Sequence, residues 1–402
     1  MSILSTLKSI FQRFYFLILI LSVILFVLTL GDSFPLYWKQ VAYTLSDGIR
    51  SILVFLLPIL VLPYIITSIA LLKSRGFLLL LSLVSLITLS NFFSTCIGGG
   101  LAALFVPLMS LQTTFDPGDA EPLQALFTLN LPTLISIEIV LVIGFILGLI
   151  QGIYQNNTLQ SFLGKYRSVS TLFFEKLFIP LMPVYIFGNM LKIDMENDFL
   201  QVFSDFGSVI TIIALSQILY VTLLFWIGCK FSFSRTLSAI RNSLPAWVLG
   251  FSTLSSLVTM PVTLKAAEKN VGDKAIARLA ITSTVNCHTI GDCISFMALS
   301  ITVLLMSTGM QTPDLYSILM FALIFALAQF TAVSVPGGGA VIVIPLLIKY
   351  FNFSPEMVGL VTTLAVFLEP LSTSHNVHGN SAFAILLHRF VQKFHSNIKT
   401  QS

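Results

Sequence analysis

The chain has 402 residues, of which 56% are hydrophobic and only 9% charged, with a mean hydropathy of +0.95. Soluble domains carry about 25% charged residues, so a soluble or disordered chain is excluded and a polytopic membrane protein is expected. The net charge of +4 is small; it marks no nucleic-acid partner, and its placement matters more than its size. No Gly-rich loop followed by Lys-Ser/Thr is present to drive a nucleotide-fuelled pump.

A spanning helix needs about 20 apolar residues. In chain order, Lys8 and Arg13 precede the apolar run from Phe14 to Leu30, which resembles a signal peptide but is followed by no small-residue cleavage site. It reads as a retained first span over 14–31. Asp32-Ser33-Phe34-Pro35-Leu36-Tyr37-Trp38 then reads as an interfacial loop with aromatic anchors. Further spans are expected at 51–72, 77–110, 133–153, 170–191, 207–228, 275–308 and 355–387. The runs 77–110 and 275–308 are too long for one straight span, and each contains breakers. These are Cys96-Ile97-Gly98-Gly99-Gly100 in the first and the stretch from Asn286 to Asp292 in the second.

Two apolar stretches remain, 244–264 and 315–348. The first carries Pro245 and a Ser/Thr-rich centre; the second is split by Pro336-Gly337-Gly338-Gly339 and shortened by Pro345. Their arms are too short to make two spans, and re-entrant hairpins are expected. With eight spans, two hairpins and both termini cytoplasmic, only Lys39, Arg50, Lys192 and Lys349 of the 21 Lys and Arg fall outside. That satisfies the positive-inside rule.

Each hairpin is followed by an apolar run interrupted by Asn-x-His: Asn286-Cys287-His288, then Asn376-Val377-His378. Hydrocarbon cannot hydrogen-bond freed backbone groups, so irregular chain at membrane depth must be buried in protein or line a polar cavity. Paired interruptions in two halves of a membrane domain point to a transporter's binding site. The hairpin tips would bring N–H groups to mid-membrane to meet a carboxylate, and carbonyls freed in the broken helices would suit a dehydrated cation.

Four ordered motifs carry a resemblance along nearly the whole chain. Phe251-Ser252-Thr253-Leu254-Ser255-Ser256-Leu257-Val258-Thr259-Met260-Pro261-Val262-Thr263 resembles the first hairpin of the dicarboxylate/amino-acid:cation symporter family. Asn286-Cys287-His288-Thr289 falls where that family has Asn-Met-Asp-Gly-Thr. Val335-Pro336-Gly337-Gly338-Gly339-Ala340 resembles its second hairpin tip, and Glu369 to Asn380 resembles its last helix, Asp-x-x-Arg-Thr-x-x-Asn-Val-x-Gly-Asp.

The resemblance implies an all-α, elevator-type transporter of eight transmembrane helices plus two re-entrant helical hairpins, built from inverted repeats. It implies a homotrimer in the bacterial inner membrane, with no enzymatic activity and no cofactor. Scaffold helices would occupy 1–76 and 116–206. The transport domain would comprise 77–115 and 207–402, with hairpins at 242–266 and 313–350. Its implied activity is symport of a small amino acid or related carboxylate coupled to Na+ and/or H+. Alternatives are a typical dicarboxylate or glutamate substrate, and a non-concentrative channel or sensor.

Substrate contacts implied by the resemblance are Ser255, Ser256, Pro336, Gly337, Gly338, Gly339, Glu369, Ser372, Thr373 and Asn376. Asn286, His288, Asn376 and Asn380 would line the cation or proton path. Ser372 stands where the family's Arg binds a side-chain carboxylate, so a neutral amino acid fits better than an acidic one. His288 and Asn380 stand where the family keeps aspartates, which weakens a sodium site that needs hard oxygen ligands. Glu369 and His288 are then the intramembrane groups placed to titrate.

Other residues have plainer expectations. His288, His375 and His378 beside Cys287 and Asp292 read as hydrogen-bonded core residues rather than a transition-metal site. Asp292 either caps the second half of a broken helix or serves the site. Glu138, in a scaffold span, suggests an inter-subunit or cavity-facing pair rather than a transport role, and Gly98-Gly99-Gly100 suggests close helix packing rather than a hinge. Cys96, Cys229, Cys287 and Cys293 read as buried free thiols.

Overall fold

A computed structural model describes residues 18–19, 21–31, 33–71, 77–109, 123–132, 135–196, 199–307, 312–332 and 338–399. Among these residues the chain is helical, with no strand. The helices are α1 (Leu21–Leu30), α2 (Leu36–Leu71), α3 (Phe77–Phe105), α4 (Ile137–Tyr154), α5 (Asn157–Phe173), α6 (Ile179–Glu196) and α7 (Phe199–Gly228). They continue as α8 (Phe233–Thr253), α9 (Ser256–Val271), α10 (Lys274–Thr284), α11 (Ile290–Ser307), α12 (Leu315–Ala328), α13 (Gly338–Phe351) and α14 (Pro355–Lys399). Six helices are long and apolar enough to cross a membrane; the chain from α5 through a π turn into α6, bent by 48°, makes a seventh if counted as one span. Of the expected first span, 14–31, residues 14–17 and 20 lie outside the described residues.

Burial sorts the helices. Of the most apolar window of each span, 89% is buried in α11 and 78% in α14, against 39% in α3, α4 and α7. Apolar residues surround α11 on every side, the pattern of a helix enclosed by others. It packs against α3, α7 and α14, and α14 in turn contacts α6 through α11 and α13. A second group forms where α2 packs on α4, α5 and α6.

Three expectations fail, each for a physical reason. The loop expected over 32–38 ends early: α2 begins at Leu36, so Leu36 to Trp38 and the residues up to Arg50, before the expected start of the second span at 51, are its opening turns. Their polar side chains are satisfied inside the protein: Ser46 Oγ donates to Tyr185 O (2.6 Å) and accepts from Asn189 Nδ2 (2.6 Å). The glycine triplet does not break α3, which runs through it. A Cβ at Gly98 would lie 2.5 Å from Ile294 O, so this glycine sets how closely α3 approaches α11. The last helix is unbroken as well. α14 passes through Asn376-Val377-His378, keeping its backbone groups within the helix and leaving no freed carbonyls there for a cation.

The expected break after α10 is present, with non-helical chain at 285–289. Between α8 and α9 the chain turns at Leu254, in the left-handed region at φ 55°. Ser255 caps α9, its side chain accepting from Val258 N. The arms α12 and α13 flank residues of which 333–337 lie outside the described set. Asp314 caps α12, and hydrogen bonds from the Ser317 hydroxyl and backbone N–H hold its carboxyl below the usual range.

Three of the four cations expected on the outer side are paired with carboxylates. Lys192 pairs with Glu356, Lys349 with Glu138 (2.6 Å) and Arg50 with Asp47 (2.5 Å). Lys39 is buried.

Candidate substrate site

A small pocket forms where α8 meets α9, where α10 gives way to α11, and where α13 and α14 approach. Ser255 and Ser256 line it from the first turn, and Asn286 and Thr289 from the break after α10. Asp292 contributes from the first turn of α11, Gly339 from the start of α13, and Glu369, Thr373 and Asn376 from α14. The spacing along α14 explains its share: 369, 373 and 376 fall at i, i+4 and i+7 on one face of an unbroken helix.

Asn376 is locked in place. Its Oδ1 accepts from Gly291 N (2.7 Å), and its Nδ2 donates to Asp292 Oδ2 (2.9 Å). A Cβ on Gly291 would lie 2.3 Å from Ser372 O, so the glycine is what lets α11 approach α14 here. The pocket thus holds two carboxylates, Glu369 and Asp292, and no Lys, Arg or His among its described lining residues. Its unevenness suits a zwitterion: carboxylates for an ammonium, and hydroxyls, amides and the capped start of α9 for a carboxylate.

The other expected residues go elsewhere. Ser372 is buried away from the pocket, 2.9 Å from Ser295 Oγ and in reach of Gln217 Nε2 (3.4 Å) on α7. Pro336 and Gly337 lie outside the described residues; Gly338 begins α13. Asp292, expected either to cap a broken helix or to serve the site, lines the pocket. Its signal was available, since a carboxylate inside an apolar run is functional by default in a membrane.

His288 and Asn380 meet one another rather than the pocket. The imidazole is fully buried, with Nδ1 2.8 Å from Asn380 Oδ1 and Nε2 2.8 Å from Ser90 Oγ on α3. Ser90 in turn holds Tyr220 of α7, whose hydroxyl donates to Ser90 O (2.7 Å). An amide oxygen only accepts, so Nδ1 carries a proton and donates it to Asn380, while the Ser90 hydroxyl, which can donate or accept, partners Nε2. The imidazole stands between the two oxygens, Asn380 Oδ1 and Ser90 Oγ, and itself offers nitrogen rather than the hard oxygen that sodium prefers.

His375 and His378 do share a face of α14, but each has its own packing. His375 Nδ1 bonds Leu371 O (2.8 Å), and its ring stands edge-on to Trp247. The His378 ring packs on Phe225 at 5.0 Å. No group of three metal-binding side chains occurs among the described residues. The four cysteines are free thiols, three of them buried.

A sequence profile of the sodium:dicarboxylate symporter family matches residues 14–390. No curated protein matches the chain. The profile match takes in every helix that lines the pocket, and its family is one of transporters rather than enzymes, with sodium as the implied coupling ion. The chain belongs to the sodium:dicarboxylate symporter family.

Proposed function

We propose that this protein is a cation-coupled secondary symporter of a small neutral amino acid. The observation that carries this is the pocket's charge: Glu369 and Asp292 line it, and no cationic side chain joins them among the described residues. A second carboxylate on the substrate would sit beside both acids without a partner, at a cost of several kcal/mol. An α-amino acid with an uncharged side chain needs only one anion and one cation satisfied. In this arrangement Glu369 takes the ammonium, and Ser255, Ser256, Thr373 and Asn376 hold the α-carboxylate. Pro336 to Gly339 would contact it as well.

Coupling would run through the remaining oxygen groups at Asn286, Asp292 and Asn376, carrying sodium and/or protons. The direct contact between His288 and Asn380 argues against a sodium ion at that point. We further propose the family's division of labour: α1, α2 and α4–α6 as scaffold in a homotrimer of the inner membrane, with α3 and α7–α14 as the moving body. Uptake into proteoliposomes in sodium-free buffer, with and without a pH gradient, tests the coupling. Accumulation that follows the pH gradient assigns protons; accumulation that needs sodium and ignores pH removes them. Competition by neutral but not acidic amino acids is the expected specificity, and the reverse pattern would overturn it.

A further inference from the structure

A second cavity lies far from the first in the chain, between the end of α2, the end of α4 and the middle of α5. Its volume is ≈ 230 Å³, room for several waters, whose share of liquid volume is about 30 Å³ each. Arg167 forms one wall. Its Nη1 donates to Thr67 Oγ1 (3.1 Å), and its guanidinium sits 5.1 Å from the centre of the Tyr64 ring. These contacts hold the side chain in place but neutralise nothing. Among the described residues, no carboxylate lies within ion-pair distance of Arg167.

The rest of the wall has the same bias. Gln151, Gln155 and Gln160 bring amide donors, and no Asp or Glu lines the cavity. One Gln151 N–H is already given to Asn156 O (2.8 Å). A guanidinium carries five N–H donors, and the bond to Thr67 uses one. A concave, acid-free site with a half-buried guanidinium and three amides is built for an anion, and Arg favours phosphate oxygens through its planar fork.

The surroundings say where that anion comes from. α5 exposes Phe162, Val169 and Leu172 to the outside, and Tyr154 at the end of α4 is 78% exposed. Lys165 stands on the same helix. A helix with apolar side chains outward and basic residues between them is suited to the headgroup boundary of a bilayer, where anionic lipids concentrate and attract Lys and Arg. We infer that the cavity between α2, α4 and α5 binds the phosphate of an anionic phospholipid, with Arg167 as its counter-charge. The site is independent of the transport pocket and of whatever that pocket carries.

Gly164 allows a test that leaves the fold intact. It lines the cavity, and a Cβ there meets no atom within 4 Å. Gly164→Glu sets a carboxylate at the cavity, and Gly164→Gln adds the same bulk without charge. Thermal unfolding is followed for each purified full-length protein in detergent with added phosphatidylglycerol, phosphatidylcholine or inorganic phosphate. Phosphatidylglycerol should raise the wild-type Tm by roughly 2–5 °C, and phosphatidylcholine should not. The rise should persist in Gly164→Gln and vanish in Gly164→Glu and Arg167→Gln. An equal rise from inorganic phosphate alone would overturn the assignment to lipid and leave a soluble anion as the ligand. An unchanged phosphatidylglycerol response in Gly164→Glu would overturn the site.

Discussion

His288 Nδ1 stands 2.8 Å from Asn380 Oδ1, joining the two positions where the resemblance puts aspartates. Each substitution is explicable once the other is seen. A neutral imidazole beside a carboxylate would be drawn towards protonation, whereas beside an amide it is satisfied as it stands. Asn380→Ala leaves a buried ring nitrogen without its partner and should lower stability by about 1–3 kcal/mol, read as a fall in Tm. The double substitution His288→Asp with Asn380→Asp returns hard oxygen ligands to this point. Its uptake should depend more steeply on sodium than that of the wild type, and identical sodium curves would contradict this account of the His288–Asn380 contact.

A second link joins parts of the chain proposed to move relative to one another. Lys192 of α6 pairs with Glu356 of α14, and Tyr43 of α2 bonds both, with its hydroxyl 3.2 Å from each. Removing one charge strands the other in a mostly buried place, so Lys192→Met should cost about 2–4 kcal/mol. Lys192→Met with Glu356→Leu should recover much of that loss. A double variant as unstable as the sum of the two singles would show that the charges are not coupled.

Neighbouring glycines of α3 should behave differently. Gly98→Ala drives a methyl into the backbone of Ile294 and should cost about 1–3 kcal/mol, whereas a Cβ at Gly100 meets nothing within 4 Å. Gly100→Ala should be neutral or mildly stabilising, since Ala is the better helix former by about 1 kcal/mol. Equal effects of the two substitutions on Tm would mean that α3 and α11 are not in close contact.

Two positions on α14 separate charge in the pocket from charge near it. Glu369→Gln should reduce binding of a neutral amino acid by roughly 10- to 100-fold, the weight of a charge-assisted hydrogen bond, as measured by ligand-induced thermal shift. Ser372→Arg should not create glutamate transport. Ser372 faces Ser295 and Gln217 rather than the pocket, so the larger side chain would unfold the packing there first. Competition by glutamate in a well-folded Ser372→Arg protein would place that side chain in the pocket after all.

Much of this was legible in the sequence because membranes impose simple demands. Apolar run length located most of the candidate spans, and motif and the expense of polar groups in hydrocarbon singled out Ser255, Ser256, Glu369, Thr373 and Asn376, which line one pocket. What failed was any inference that a Gly or Asn must break a helix. Gly98 and Asn376 instead serve neighbours, one by being small and the other by bonding Gly291 and Asp292 across to α11. The opening of α2 was misread for a related reason: its polar side chains turn inward to partners on α6, which a linear reading cannot see. The sequence left Asp292 open between cap and site and did not single out Ser90, because their partners lie 84 and 198 residues away.

The most direct measurement of the central claim is concentrative uptake of radiolabelled neutral amino acids by proteoliposomes under an imposed sodium or proton gradient, with Glu369→Gln as control. Accumulation above the external concentration is expected for at least one neutral amino acid. It should collapse when the driving gradient is dissipated, and in the Glu369→Gln protein. Equilibration without accumulation under either gradient would contradict coupled symport and leave a passive pathway in its place.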